Sequence, residues 1–450
     1  MRRLSVSFFN TSICLLLIAH CLLATSCSVT KQISKQANAI LLKDSAINTG
    51  HIGISIYEPA TNKYWYNHNA TQYFIPASNT KLFTLYAGMK YLGDSLVGAK
   101  VFENSDTLYF EPTGDPTFLH PDFKKHPILK YFSNNNNTIT YLIPVKQDFK
   151  KYGFGWAWDD QGEAYMAERS TFPLYGNVFT FYLNDNTLRS NPPDRVSKKY
   201  FEEPMMALSS KRGNYTITRN ESHPIFNFRK SDKRFSYQQI PFPTDRLYHD
   251  QLLLLSDTLN ISKDKFSMGF NSNITWQKLY SQPTDSLFKP MMHRSDNFFA
   301  EQTLLMASNE FLGLMSDDKI IDTILKTSLS DLPQRPKWVD GSGLSRYNLA
   351  TPQSFVYLLN KTKNEFGLNR LKNILPTGGT GTLSNYYKKY AGNIFAKTGT
   401  LSNNCALSGY LITNKGKLLI FSILNNNYIT GATPIRKAVE KFLVDIIEKY

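Results

Sequence analysis

The stretch PASNTKLFT, residues 76–84, places a serine and a lysine three residues apart where an apolar run begins. Residues with this spacing share one face of a helix, so the Ser78 hydroxyl and the Lys81 amine can meet. The arrangement suits a nucleophile with its base, and it also suits a serine that merely caps a helix. The tetrad alone does not decide, because other Ser-x-x-Lys matches begin at Ser28, Ser262, Ser286 and Ser316.

Length and composition narrow the class of protein. A chain of 450 residues exceeds one ordinary core and predicts two or more domains. Its 42% hydrophobic and 14% aromatic content argues against disorder. The net charge of +15 favours an anionic partner such as nucleic acid, a lipid surface or an acidic cell-wall polymer, although a bias toward Lys and Asn gives the same charge without any partner. No nucleic-acid motif or phosphate-binding glycine loop accompanies the charge, so we do not expect nucleic acid as a partner.

The eight histidines lack metal-ligand spacing, so we expect neither metal nor other cofactor.

The N-terminus reads as an export signal. MRRLSVSFFNTSICLLLIAHCLLATSC has a basic start, an apolar core and small residues before a cysteine, which predicts a signal peptide over residues 1–26. Its end, LATSC, resembles the lipobox of bacterial lipoproteins, in which the cysteine, here Cys27, is lipidated and becomes the first residue. Ala24 departs from the leucine usual at that position. The resemblance implies a lipid-anchored protein facing the periplasm, with the outer membrane favoured, and the alternative is a plain cleavage that leaves Cys27 free.

Two cysteines, Cys14 and Cys21, lie inside the predicted signal. Only Cys27 and Cys405 remain, so the exported protein has no disulfide framework. We expect Cys405 to be a small buried residue.

The two ends of the chain show similar patterns. Residues 52–68 alternate on both sides of a turn and predict a β-hairpin, and a helix is expected from Ser78. Residues 405–425 predict a second hairpin, followed by an amphipathic helix over 433–450. Residues 27–96 and 276–450 are therefore predicted to form one α/β domain. The stretch between them, 97–275, is dominated by short strands and turns and predicts an inserted β-rich module of one or two subdomains.

Two further motifs follow the tetrad. HRSDNFFAEQTL contains Ser295-Asp296-Asn297, and FAKTGTLSN contains Lys397-Thr398-Gly399-Thr400. In this order the three elements are the signature of penicillin-recognising serine enzymes. Ser295 follows Ser78 by 217 residues, and Lys397 follows Ser295 by 102. The long first gap resembles the D-alanyl-D-alanine carboxypeptidase/endopeptidase family of low-molecular-weight class C penicillin-binding proteins. Flanking segments agree with that family: GDPTF (114–118), GWAWDD (155–160), DGSGLSRYNLATP (340–352) and LPTGGTGTL (375–383).

The resemblance implies both a fold and an activity. The fold is α/β (α+β), a β-lactamase-like transpeptidase domain with an antiparallel sheet between helices and a β-rich inserted domain. The activity is that of a serine-type D-Ala-D-Ala carboxypeptidase, with D-alanyl endopeptidase as a second activity, acting on peptidoglycan stem peptides and acylated by β-lactams. Two alternatives stay open: a β-lactamase or esterase of the same fold, and a non-catalytic peptidoglycan-binding lipoprotein. The intact motifs argue against the second.

Each motif residue has an expected role. Ser78 is the nucleophile and Lys81 its base, which must be neutral, as burial and a neighbouring cation such as Lys397 would favour. Ser295 relays a proton to the leaving amine, and Asn297 hydrogen-bonds the acyl amide of the substrate. Alternatively, Ser295 or Asp296 simply caps the helix that follows.

The third motif is expected on a strand edge, where alternation sends Lys397 and Gly399 to one face. Lys397 with the Thr398 and Thr400 hydroxyls would hold a C-terminal carboxylate, and Gly399 lets the backbone approach the ligand. The resemblance implies an oxyanion hole made of the N–H groups of Ser78 and Thr400. An exposed strand lysine is the structural alternative.

The segment DGSGLSR carries a last pair of candidates. The resemblance implies that Ser342 and Arg346 line the pocket for the stem-peptide side chain, where Arg346 can pair bidentately with a carboxylate. Alternatively, Asp340 and Arg346 pair to hold a glycine-rich loop. The chain departs from the family at residues 145–156, VKQDFKKYGFGW, where an Asp-rich DDS-x-F segment is usual.

Overall fold

A computed structural model describes residues 29–135, 138–143, 146–184, 187–193, 214–219, 225–232, 235–242, 247–270 and 275–450. The predicted signal peptide and Cys27 lie outside these ranges. The chain forms two compact units, which are described one at a time. The first unit comprises Met1–Pro76, Ala350–Asn364 and Pro376–Tyr450, and the second comprises Ala77–Leu349 and Glu365–Leu375.

The described helices are α1 (29–37), α2 (Lys81–Tyr91), α3 (Pro127–Ser133), α4 (Leu247–Leu259), α5 (Thr284–His293), α6 (Asn297–Leu312), α7 (Asp317–Lys326), α8 (Pro352–Phe366), α9 (Leu368–Ile374) and α10 (Ala432–Lys449). The described strands are β1 (His51–Glu58), β2 (Lys63–His68), β3 (Ser95–Asn104), β4 (Thr107–Pro112), β5 (Thr138–Ile143), β6 (Val178–Asn184), β7 (Thr187–Asn191), β8 (Asn214–Arg219), β9 (Phe226–Ser231), β10 (Tyr237–Pro241), β11 (Phe266–Phe270), β12 (Gln277–Pro283), β13 (Ile394–Leu401), β14 (Asn404–Ile412) and β15 (Leu418–Asn426).

The first unit is built on a five-stranded sheet in the order β13-β14-β15-β1-β2. Every neighbouring pair in this sheet is antiparallel. The predicted hairpins are confirmed as β1–β2 and β14–β15, and the two ends of the chain meet where β1 pairs with β15. Nearly every residue of β14 and β15 is buried. Because successive side chains of a strand point to opposite faces, this continuous burial means that both faces of the sheet are covered.

Helices cover the sheet of the first unit on its two sides. Ile33 of α1, Ile54 of β1, Phe421 of β15 and Phe442 of α10 belong to one buried cluster. On the other face, the Tyr410 hydroxyl donates a hydrogen bond to the Leu359 carbonyl of α8 at 2.7 Å. The antiparallel sheet between helices is therefore confirmed.

The second unit contains the β-rich stretch. Strands β11-β5-β4-β3-β12 form a mixed sheet, β10-β6-β7 a second sheet, and β8 and β9 a hairpin. Their core is rich in phenylalanine and leucine and includes Phe110, Phe132, Phe179, Phe181 and Leu255. The predicted β-rich character is confirmed, while the insertion boundaries at residues 97 and 275 stay a prediction.

In the same unit, α2 is buried on nearly all sides. Residues Lys81 to Met89 are buried, among them Phe83 and Tyr86. A Cβ atom on Gly88 would lie 2.6 Å from the Phe288 ring of α5 and 2.8 Å from Thr303 of α6, so this glycine permits close helix packing. Such packing holds the N-terminus of α2 in place. In the described parts of the chain, no helix combines the length and the apolar character needed to cross a membrane.

Candidate active site

Ser78 lies in a tight 3-10 turn, Ala77–Thr80, that leads into α2. Ala77 has φ +47°, a left-handed conformation unusual for alanine, and the Thr80 hydroxyl closes the turn onto the Ala77 carbonyl at 2.8 Å. The sequence predicted a helix that begins at Ser78, but α2 begins at Lys81. The Ser78 hydroxyl faces the Lys81 amine.

Lys81 is fully buried and contacts three acceptors. Its Nζ lies 3.1 Å from Ser78 Oγ, 2.6 Å from Asn297 Oδ1 and 2.7 Å from the Ser342 carbonyl oxygen. An ammonium group uses one N–H for each contact, whereas a neutral amine has two N–H groups and a lone pair. With the amide and carbonyl oxygens taking the two N–H groups, the lone pair of neutral Lys81 is left for the Ser78 hydroxyl proton.

Burial lowers the pKa of Lys81 to about 8, while the carboxylates of Asp340, Glu301 and Asp296 act in the opposite direction. At pH 7 a group with this pKa is neutral in about a tenth of molecules. The expected role of burial agrees with the structure. The charges that act on Lys81 from its own unit, however, are negative.

The second motif surrounds the start of α6. Ser295 has φ +62° and is partly exposed, and Asp296 caps the helix by accepting a hydrogen bond from Phe299 N at 2.9 Å. Asn297 accepts from Lys81 through Oδ1 and donates to the Tyr165 carbonyl through Nδ2 at 2.9 Å. The capping alternative is thus correct for Asp296, and Asn297 contacts the lysine at the same time. The proton relay by Ser295 stays a prediction.

Asp340 organises the loop that follows it. Its carboxylate is buried and accepts hydrogen bonds from five groups: Trp156 Nε1 at 2.9 Å, Ser342 Oγ at 3.4 Å, Gly343 N at 2.8 Å, Ser345 N at 2.8 Å and Asn348 Nδ2 at 2.7 Å. These contacts hold the loop.

Ser342 and Arg346 differ in position. Ser342 is fully buried, its hydroxyl donates to Asp340 Oδ2 at 3.4 Å, and its carbonyl accepts a hydrogen bond from Lys81. Its side chain therefore does not line an open pocket, contrary to expectation. Arg346 is exposed at the end of the loop, which suits a side chain that meets substrate.

Two charged residues near the lysine were not predicted. Glu301 of α6 is fully buried, and accepts from Ser342 N at 2.7 Å and from Arg169 Nη1 at 3.3 Å. Arg169 also pairs with Asp317 and donates to the Lys150 carbonyl at 2.9 Å. Burial and the neighbouring Asp340 raise the pKa of Glu301 to about 7, against the influence of Arg169.

The position of Glu301 carries a local signal that was available in the sequence. It lies four residues after Asn297 in the second motif, on the same helix face. Arg169 has no comparable signal.

The third motif lies on β13 in the first unit. Lys397 is buried, and its Nζ donates to the Thr398 carbonyl at 2.6 Å, so the alternative of an exposed strand lysine is wrong. Thr398 and Gly399 are buried as well, whereas Thr400 is exposed and accepts from Arg436 Nη2 at 2.5 Å. Thr400 pairs across the strands with Cys405, which is buried as predicted.

The structure thus groups Ser78, Lys81, Asn297 and the Ser342 carbonyl in the second unit, and places Lys397 to Thr400 together on one strand of the first. Within the described residues, His, Cys, Asp and Glu side chains do not gather in threes as a metal site requires.

A serine hydroxyl against a buried lysine defines a class, the serine enzymes that react through an acyl-enzyme. The model of the D-Ala-D-Ala carboxypeptidase 3 (S13) family matches residues 33–199 and 267–448. The chain belongs to this family.

Known proteins similar to the chain agree with the assignment. The D-alanyl-D-alanine carboxypeptidase of Actinomadura sp. (strain R39) is 25% identical over 446 residues, which cover 88% of this chain and 81% of that protein. Penicillin-binding protein 4 of Haemophilus influenzae has a crystal structure that matches with a TM-score of 0.70 at 19% identity, covering 92% of this chain and 99% of that one. Its complex with a β-lactam matches with a TM-score of 0.65 at 16% identity, covering 93% and 99%. These structural matches confirm the fold.

Proposed function

We propose that this protein is a serine-type D-Ala-D-Ala carboxypeptidase that trims peptidoglycan stem peptides through an acyl-enzyme on Ser78. The observation that carries the proposal is the 3.1 Å contact between Lys81 Nζ and Ser78 Oγ, made by a fully buried lysine whose pKa is lowered to about 8. A buried amine of this kind is poised to accept a proton near neutral pH.

Acylation begins when neutral Lys81 accepts the Ser78 hydroxyl proton as Oγ attacks the carbonyl carbon of the penultimate D-Ala. The C–N bond to the terminal D-Ala then breaks. Its nitrogen takes a proton, delivered from Lys81 by way of Ser295, and free D-Ala leaves. Asn297 is suited to hold the substrate amide, because its Nδ2 keeps a second N–H beyond the one on the Tyr165 carbonyl.

Water completes the cycle by attacking the ester carbonyl, which releases the shortened peptide and restores the Ser78 hydroxyl. The same steps on a D-alanyl cross-link give endopeptidase activity. A β-lactam acylates Ser78 through its strained amide and stays bound, which makes β-lactams covalent inhibitors.

Lys397 and Arg346 are proposed to recognise carboxylates of the substrate, Lys397 at the C-terminus and Arg346 on a diaminopimelate side chain. Support comes from the Lys-Thr-Gly-Thr motif and from the exposure of Arg346.

The test compares Ser78→Ala with Ser286→Ala. Ser286 also begins a Ser-x-x-Lys tetrad, but its hydroxyl donates to the Pro283 carbonyl at 2.6 Å. We expect Ser78→Ala to lose both covalent labelling by a fluorescent penicillin and D-Ala release while its melting temperature stays close to that of the wild type, and Ser286→Ala to keep both. Labelling of Ser78→Ala would place the nucleophile elsewhere. Rapid nitrocefin turnover without D-Ala release would identify a β-lactamase, and wall binding without labelling a non-catalytic protein.

We further propose that the protein is exported and anchored by a lipid on Cys27, facing the periplasm and held in the outer membrane. The basic start, apolar core and small-residue run of residues 1–27 support this proposal.

A further inference from the structure

Two consecutive carbonyl groups of the loop after Asp340 point at α2. Thr84 Oγ1 donates to the Gly341 carbonyl at 2.6 Å, and Lys81 Nζ donates to the Ser342 carbonyl at 2.7 Å. Lys81 and Thr84 are three residues apart and share one helix face. The loop backbone therefore contacts the catalytic lysine and its helical neighbour in parallel.

The N–H groups of the same two peptides are held by buried carboxylates. In the Gly341–Ser342 peptide, Ser342 N donates to Glu301 Oε1 at 2.7 Å. In the Ser342–Gly343 peptide, Gly343 N donates to Asp340 Oδ1 at 2.8 Å. Because a trans peptide is planar, with its N–H and C=O pointing in opposite directions, a carboxylate that fixes the N–H also aims the carbonyl.

Both carboxylates are themselves anchored. Glu301 accepts a hydrogen bond from Arg169, which is 2% exposed. Asp340 accepts hydrogen bonds from the side chains of Trp156 and Asn348. The backbone has little room to move, since a Cβ atom on Gly341 would lie 2.7 Å from the Ala300 carbonyl oxygen of α6. Lys81 therefore meets a backbone carbonyl whose direction is set by Asp340, and Thr84 meets the adjacent carbonyl, whose direction is set by Glu301.

We propose that Asp340 and Glu301 are positioning residues for the acylation of Ser78. Through the loop backbone, Asp340 aims the Ser342 carbonyl that holds Lys81 against the serine, and Glu301 aims the adjacent Gly341 carbonyl onto Thr84 of the same helix. The negative charge of each acid, when it is ionised, opposes loss of the Lys81 proton. The inference rests on the proposed function, because it assigns both residues to lysine-assisted acylation. The charged groups that face Lys81 in its unit are Asp296, Glu301 and Asp340, and those that face Glu301 also include Arg169 and Asp317.

The experiment measures the rate of acylation by a fluorescent penicillin as a function of pH. We expect Asp340→Asn and Glu301→Gln to slow acylation by about 10- to 100-fold, because the lysine is less well placed. Asp340→Asn should also move the acid limb of the profile to lower pH by roughly one unit, because a buried cation that loses a neighbouring anion gives up its proton more readily. Glu301→Gln should move the limb in the same direction but by less, because Glu301, with a pKa of about 7, is ionised in only part of the molecules over this limb.

Two further variants sharpen the comparison. Thr84→Val removes an uncharged contact of the same loop and should slow acylation without moving the limb. Asp285→Asn is the matched control for loss of an acid, because Asp285 makes a two-pronged ion pair with Arg370. Asp285→Asn should change neither the acylation rate nor the pH of the acid limb.

The proposal is overturned if Asp340→Asn and Glu301→Gln keep the wild-type limb and lose rate only in proportion to a fall in melting temperature. If Asp340→Asn does not fold, the acid limb of Glu301→Gln decides between the same two outcomes, and Thr84→Val shows how much rate is lost when a loop contact is removed without a change of charge. Failure of the proposed function is a separate result, because it appears as labelling that survives in Ser78→Ala.

Discussion

Gly343 packs against the carbonyl group of Ala77, the residue that precedes the nucleophile Ser78. A Cβ atom at position 343 would lie 2.0 Å from the carbonyl oxygen of Ala77 and 2.9 Å from Thr80 Oγ1, and Gly343 has φ +83°. The loop that holds Lys81 and the turn that carries Ser78 therefore fit together only with glycine at this position.

Gly343→Ala is predicted to cut penicillin acylation by at least about 100-fold, since the collision displaces the Ser78 turn by the order of an ångström. Gly93→Ala is the control for backbone strain alone: Gly93 has φ +66°, and its Cβ would meet no described atom within 4 Å. The control should lose about 1–2 kcal/mol of stability and keep its acylation rate. Acylation rates and melting curves of the two variants provide the test, and equal acylation in both would contradict the prediction.

Acylation should depend on pH through Lys81. The base must be neutral, so the rate should rise about tenfold per pH unit below a pKa of about 8 and level off above it. Stopped-flow acylation across the pH range measures the limb. A limb at or below the ordinary pKa of histidine, about 6.5, would point to another base.

Lys397→Ala is predicted to impair peptides with a free C-terminal carboxylate far more than neutral ester substrates. A charge-assisted contact of this kind contributes about 1.5–3 kcal/mol, or roughly 10- to 150-fold in kcat/KM. Lys415→Ala, which removes an exposed lysine of the same unit, is the control. Parallel losses on both substrates would argue that Lys397 supports the strand and not the ligand.

Arg346→Ala is predicted to weaken cleavage of diaminopimelate-containing peptides by about 10-fold or more, while short acyl-D-Ala-D-Ala substrates are cleaved as before. Only the first substrate carries a distal carboxylate for the guanidinium. Arg335→Ala, which removes another exposed arginine of the second unit, should leave both rates unchanged. A variant that loses activity on both substrates would show that Arg346 supports the loop.

Cys27→Ala is predicted to move the protein from the membrane fraction to the soluble fraction, because the lipid attaches to this thiol. Cys21→Ala, inside the predicted signal, should leave the distribution unchanged. Fractionation and intact-mass analysis of the mature protein decide the matter. A wild type that is already soluble and begins at another residue would refute the anchor.

The elements of the first unit followed from local patterns. The hairpins β1–β2 and β14–β15 show period-two alternation around turns, and α10 shows a helical stripe, so neighbours in sequence determine them. The start of α2 did not follow, because the positive φ of Ala77 accompanies its close fit against Gly343, a residue far along the chain.

Motif order predicted the residues that meet around Lys81, since Ser78 and Asn297 both contact it. The burial of Ser342 and the network of Glu301 with Arg169 were not predicted. A charged residue reads as a surface residue until its partner is known, and Arg169 precedes Glu301 by 132 residues.

The pairing of β1 with β15 makes the first unit depend on a segment that is synthesised more than 350 residues after β1. His51 faces Asn426 in this pair, so one side of β1 has no strand to join until synthesis has passed residue 426. Until then its peptide groups are open to strands of other chains, a known route to aggregation, and the long loop that must close slows folding. A chain that terminates before β15 should therefore accumulate as insoluble material and not as a smaller enzyme.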